Sequence, residues 1–192
     1  MLAVLLTTLL AAGPARLTPD ALRARYAGIR SLTADVVQVK EGRFWARPLE
    51  SRIRLRYTPE RIVWETLSPV SSTVTIEGDR LAVADAAGKT RELGALAGDP
   101  RVGALLRFIR SLIAVDLDAL DRDFAIRYGD GELVATPRDG TPRLFESVRL
   151  RFDPRDDLTD MELATATERT RLSFRNVQRV PPPPAAAPRG VR

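Results

Sequence analysis

Around residue 55 the chain alternates with a period of two: Arg52, Arg54 and Arg56 interleave with Ile53, Leu55 and Tyr57. Such a segment forms a strand with one wet face and one buried face. The same period starts at Leu32, with Ala34, Val36, Gln38 and Lys40 on one side and Asp35, Val37 and Val39 on the other. Further strands are predicted over about 43–49, 61–66, 72–78, 80–85 and 89–93. They are separated by the turn signals Thr58-Pro59, Ser68-Pro69, Gly78-Asp79 and Ala87-Gly88. A second series begins with Phe124, Ile126 and Tyr128, turns at Gly129-Asp130-Gly131 and returns from Leu133 to Pro137. Strands over 144–152, 161–165 and 169–177 complete it. Connections this short join antiparallel neighbours.

Two stretches follow the helical period instead. Thr18-Pro19-Asp20 is a cap followed by a first-turn proline, and Leu22, Tyr26 and Ile29 recur behind it, so a helix is expected over 19–30. Between the two strand series, Asp99-Pro100 opens a helix with a broad apolar stripe of Val102, Leu105, Leu106, Ile109, Leu112 and Ile113. Asp116 is placed to cap a second short helix carrying Leu117 and Leu120. A stripe that wide must cover apolar surface, and the concave side of a curled sheet is the natural partner. The fold class expected is therefore mainly β with helices (α+β): an incomplete antiparallel barrel of about ten or eleven strands, with a helical lid over an apolar concave face.

The ends read differently from the body. The run from Leu2 to Ala12 is too short to span a bilayer as a helix but suits the apolar part of an export signal, with Gly13-Pro14-Ala15 offering a cleavage site before Arg16. A buried N-terminal helix would show the same run. Pro181 to Pro184 open a stretch without apolar periodicity. The expected division is 1–15 signal, 16–178 folded domain and 179–192 proline-rich tail; 192 residues suit one domain.

Composition removes several chemistries. With no Cys and no His, the chain has no thiol nucleophile, no disulfide, no imidazole or thiolate metal site and no Ser-His arrangement. Asp116, Asp118, Asp121 and Asp123, like Asp153, Asp156, Asp157 and Asp160, read as caps and loops, since no glycine-containing calcium loop accompanies them. Lys40 and Lys89 lack a nucleophile motif beside them, and no phosphate-cradling glycine loop occurs. No catalytic residue, metal ligand or cofactor is expected, and the protein reads as a non-enzyme. The net charge is +5, but the arginines sit at alternate strand positions among 25 acidic residues. That is a solvated sheet face rather than a nucleic-acid footprint, although the positive field would suit an anionic membrane surface or an acidic partner. What remains is apolar surface: Phe44, Trp45, Leu55, Tyr57, Trp64 and Ile76 on the strands, and Leu105, Ile109 and Leu112 on the inserted helix. Periodicity alone does not separate a filled core from a ligand-lined cavity.

Several of these residues stand in a familiar order. Gln38 follows an apolar strand; Leu55-Arg56-Tyr57-Thr58-Pro59-Glu60-Arg61-Ile62-Val63-Trp64 leads to Ser68-Pro69; and Val74-Thr75-Ile76-Glu77-Gly78-Asp79-Arg80-Leu81 comes next. Together with the segment from Leu93 through Phe124, this order resembles the LolA-like outer-membrane lipoprotein carrier family over roughly residues 18–178, as a divergent branch. The resemblance implies a barrel closed by helices around an apolar cavity that shields acyl chains in the periplasm. It further implies a lipoprotein or other acylated amphiphile as cargo, an inner-membrane donor complex, an outer-membrane acceptor protein and a monomeric carrier. An acyl-binding set of Leu55, Tyr57, Trp64, Ile76, Leu105, Ile109 and Leu112 follows. The family's lid-controlling arginine aligns with Thr58, and a glycine of the preceding strand aligns with Arg52, so lid control departs from the family here. The other function compatible with the same fold is a periplasmic interaction or sensor module that binds lipid without transporting it.

Overall fold

The computed structural model describes residues 17–43, 45–78, 80–93, 100–141 and 145–181. The expected export signal, Phe44, the turn residue Asp79, the cap residue Asp99, Leu144 and the tail beyond Pro181 lie outside the described residues. In chain order the elements are α1 (Pro19–Tyr26), β1 (Ser31–Gly42), β2 (Leu49–Tyr57), β3 (Arg61–Ser68), β4 (Ser72–Glu77), β5 (Arg80–Ala84) and β6 (Thr90–Glu92). The helices α2 (Pro100–Ala114) and α3 (Leu117–Asp123) follow, and then β7 (Phe124–Tyr128), β8 (Glu132–Pro137), β9 (Ser147–Phe152), β10 (Leu158–Ala164) and β11 (Glu168–Val180).

The strands form one antiparallel eleven-stranded sheet in the order β6-β5-β4-β3-β2-β1-β11-β10-β9-β8-β7. Each series is a meander, and the long β1–β11 pair, from Ser31↔Val180 to Gly42↔Glu168, joins the two. The barrel is incomplete, because β6 and β7 are edges rather than partners. These edges are consecutive in sequence, so the chain leaving β6 must cross to the far edge, and α2 and α3 make that crossing.

Local chemistry sets the boundaries. The Thr18 hydroxyl accepts from the Ala21 N–H at 3.2 Å and Pro19 occupies the first turn of α1. The helix stops at Tyr26, short of the expected residue 30, because Gly28 takes a left-handed φ of 65°. Asp116 caps α3 through the Ala119 N–H at 3.0 Å. Where a strand is expected over 43–49, residues 45–48 are irregular and Leu49 already opens β2. Pro48 has no N–H to give a ladder, and the Trp45 N–H turns back to the Gly42 carbonyl at 3.0 Å. Trp45 is consequently 42% exposed, its indole N–H donating to Glu168 at 3.1 Å.

The last strand runs to Val180, three residues beyond its expected end. Arg179 fixes this extension: its guanidinium bonds to Asp157 and lies 4.9 Å over the Tyr26 ring, while Arg25 reaches the same carboxylate at 2.8 Å. The Tyr26 hydroxyl in turn accepts from the Leu158 N–H at 2.8 Å. Burial pulls the Arg179 pKa below the usual arginine value, which still leaves it charged at neutral pH.

The core lies between the concave face and the helices, with Leu22, Leu55, Leu133, Val148 and Leu150 at 0% exposure. The β1–β2 connection packs so closely on the β10–β11 turn that a Cβ on Gly42 would lie 2.6 Å from the Thr167 carbonyl oxygen. Gly42→Ala is therefore expected to cost about 1–3 kcal/mol, read as a lower thermal midpoint with an unchanged far-UV spectrum at 25 °C.

A lidded apolar cavity as candidate functional site

Register places the inner-face side chains in rows. Tyr57 pairs with Ile62, Ile62 with Ile76 and Ile76 with Leu81; the next row runs Leu55, Trp64, Val74, Val83. Across β1, Val36 stands between Ile53 and Phe174, and Gln38 between Ser51 and Leu172. Helix α2 lies over this face and bounds with it a half-open cavity of about 210 Å³. From the sheet, Ile62, Trp64, Val74 and Ile76 form one side, and Met161, Leu163, Leu172 and Phe174 the other. Ile109, Leu112 and Ile113 of α2 form the roof, and Gln38 is the one polar side chain among the twelve that line the space. Sealed apolar cavities of roughly 150 Å³ admit benzene, and this space is of the size of a short alkyl segment.

Of the seven residues expected to form an acyl site, Trp64, Ile76, Ile109 and Leu112 meet in this wall. Leu55, Tyr57 and Leu105 do not. Leu55 shares its row with Trp64 but is fully buried in the core and does not line the cavity. Tyr57 lies at the end of its strand, beside Pro59, Ala114 and Asp116 in a mixed polar cleft of about 400 Å³ between α1 and the α2–α3 junction. Burial raises its phenol pKa against the pull of Arg110, so it remains neutral at physiological pH. Leu105 is half-buried one turn before Ile109 on the same face of α2, but it does not line the cavity. The wall also uses Met161, Leu163, Leu172 and Phe174, which the sequence reading left out. Their signal was the alternation of Leu172 and Phe174 with Arg171 and Arg175.

The acidic clusters are occupied locally. Asp118 pairs with Arg23 at 3.0 Å, Asp121 with Arg138 at 2.9 Å, and Asp160 accepts from Ser173 at 2.8 Å. Among the described residues, no group of three or more acidic side chains is arranged to hold a metal ion.

Two attachments hold α2 on the sheet. Phe108 stacks on Phe124 at 4.9 Å and on Phe145 at 5.3 Å between ring centroids. Two residues on, about half a turn round the helix, is Arg110, whose guanidinium donates to the carbonyl oxygens of Pro59 at 3.3 Å and Gly78 at 3.4 Å, in the β2–β3 and β4–β5 turns. Thr58 is engaged in its own turn, where its hydroxyl accepts from the Arg61 N–H at 3.1 Å and closes the β2–β3 connection. The helix thus supplies the cation that binds the turns, instead of a strand residue binding the helix. Removing two long hydrogen bonds to a charged group is worth about 1–2 kcal/mol. Arg110→Leu is therefore expected to accelerate amide exchange over 104–113 by roughly 5- to 30-fold, with the β1 and β11 amides unchanged. Thr58→Ala should leave α2 exchange as it is.

No family model and no curated protein matches the sequence. Among solved structures, the chain is similar to a DUF1329 family protein from Desulfovibrio piger, at 12% identity and a TM-score of 0.45, with 83% of this chain and 90% of that one covered. Mycobacterium tuberculosis lipoprotein LppX is 13% identical with a TM-score of 0.44, over 83% of this chain and 96% of its own. The chain also resembles a LolA superfamily protein from Nitrosomonas europaea, at 12% identity and a TM-score of 0.41, with 87% of this chain and 96% of that one covered.

Proposed function

We propose that the protein is a carrier that shields the acyl chain of a lipoprotein or related acylated amphiphile on its way from an inner-membrane donor to an outer-membrane acceptor. The observation that supports this reading is the apolar space roofed by α2, whose lining is polar only at Gln38. Each methylene removed from water is worth roughly 0.8 kcal/mol, so a segment of about eight methylenes gains on the order of 6 kcal/mol without any directional contact. A space of this size takes one chain segment, and a bulkier cargo enters by lifting α2 from the sheet. The surfaces that touch donor and acceptor, action as a monomer and location in the periplasm after loss of residues 1–15 belong to the same proposal.

Two measurements test it. Mass spectrometry of an organic extract of the purified protein should show a co-purified acylated compound, and titration with a fluorescent acyl probe after delipidation should saturate at one equivalent. A folded, delipidated protein that binds no acyl probe would sink the proposal. Probe binding without transfer between donor and acceptor vesicles would leave a lipid-sensing module in its place.

A further inference from the structure

We infer that the cavity is directional and reads the carbonyl of an ester- or amide-linked acyl chain through Gln38. The inference rests on the acyl-carrier reading and adds to it the chemistry of the linkage. Polarity along the inner face is graded. Toward the β2–β3 turn the rows hold Leu32, Tyr57, Ile62 and Ile76, which are all buried, and Arg110 ties the roof down at that end. Toward the β1–β2 connection the same face turns polar: Gln38 pairs with Ser51, Lys40 with Thr170 and Thr66 with Ser72. Ser51 and Thr170 are the two buried polar residues of the described chain.

Gln38 stands where the gradient changes. It reaches the cavity wall from β1, its amide has no hydrogen-bond partner among the described residues, and it is not sealed off with its polar atoms buried. A carboxamide offers two N–H donors and one acceptor. An alkyl chain seated against Ile76 and Leu112 with its polar end toward the hairpin loops would bring its first carbonyl to this amide. A hydrocarbon gives the donors nothing to bind and an ether oxygen is a weaker acceptor than a carbonyl, so the ligand class selected is an acyl ester or amide, inserted tail first.

The test compares a lysophospholipid carrying an ester-linked chain with its alkyl-ether counterpart of equal length and identical headgroup, on wild-type protein and Gln38→Met, which keeps side-chain length without the amide. Wild type should prefer the ester by roughly three- to tenfold, the range of one net hydrogen bond, and Gln38→Met should bind both lipids alike. Equal affinities in wild type, or a preference retained by Gln38→Met, would overturn the role of Gln38 and leave the carrier reading standing. Failure of folded wild type to bind either lipid would remove the carrier reading and this inference with it. If Gln38→Met folds poorly, Gln38→Leu is read in the same way, and equal wild-type affinities overturn the role of Gln38 without either variant.

Discussion

Ile109→Glu is expected to abolish acyl binding while leaving the sheet folded. Ile109 is half-buried on α2 and faces the cavity together with Leu112 and Ile113. A carboxylate there has no cation among the lining residues, and leaving a charge unpaired in an apolar space costs several kcal/mol. The chain can avoid that cost by lifting this part of α2 into water, because the sheet is held by its own ladders and by the long β1–β11 pair. In either arrangement the space no longer receives an acyl chain, so probe affinity should fall at least a hundredfold. Far-UV circular dichroism and exchange protection of β1 and β11 should persist. Global unfolding would instead show that α2 is an inseparable part of the core. Arg107→Glu is the control, since Arg107 is exposed on α2 and lies outside the cavity wall, and it should change affinity little.

Leu55→Ala should do the reverse. Leu55 is fully buried between Ala34 and Trp64 on neighbouring strands but does not line the cavity. Truncation leaves a void in close-packed surroundings, which costs about 2–5 kcal/mol. For a chain of this length that lowers the thermal midpoint by roughly 5–15 °C, while the folded fraction should bind acyl probe as wild type does. Loss of affinity without loss of stability would place Leu55 in the wall instead.

The contrast between these residues marks how far sequence carries the argument. Leu55 and Trp64 share a period and a face, and nothing in the alternation tells which one adjoins space, because that depends on where α2 crosses the sheet. The helix itself was legible from its stripe, as were the strands and the Asp116 cap. Phe44-Trp45 looked like strand apolarity until Pro48 and the close approach at Gly42 are considered together. The opposite wall was hidden for a different reason: Leu172 and Phe174 read as one more strand, and only the β1–β11 pairing brings them beside Gln38 and across from Trp64. The fastening of α2 was the least visible. Arg110 and Pro59 lie 51 positions apart, and an arginine on the outer flank of a helix has no distinguishing pattern. An alignment at Thr58 looks for the cation on the wrong partner.

Val115 joins α2 to α3 with φ at 51°, and its side chain is 2% exposed. Glycine is the ordinary occupant of such a left-handed helix end, and a β-branched residue there is strained by about 1–2 kcal/mol. The hydrogen bonds from the Val115 N–H to Leu112 at 3.2 Å and from the Asp116 N–H to Ser111 at 2.9 Å hold it in place, along with the buried isopropyl group. The closed molecule therefore behaves as a cocked spring whose catch is the packing around α2. The spring is weak beside the apolar contacts of Leu112 and Ile113, but its sign is fixed. A motion that freed Val115 to return to right-handed backbone would discharge it, so the strain lowers the cost of displacing α2 below what the contacts it breaks would suggest.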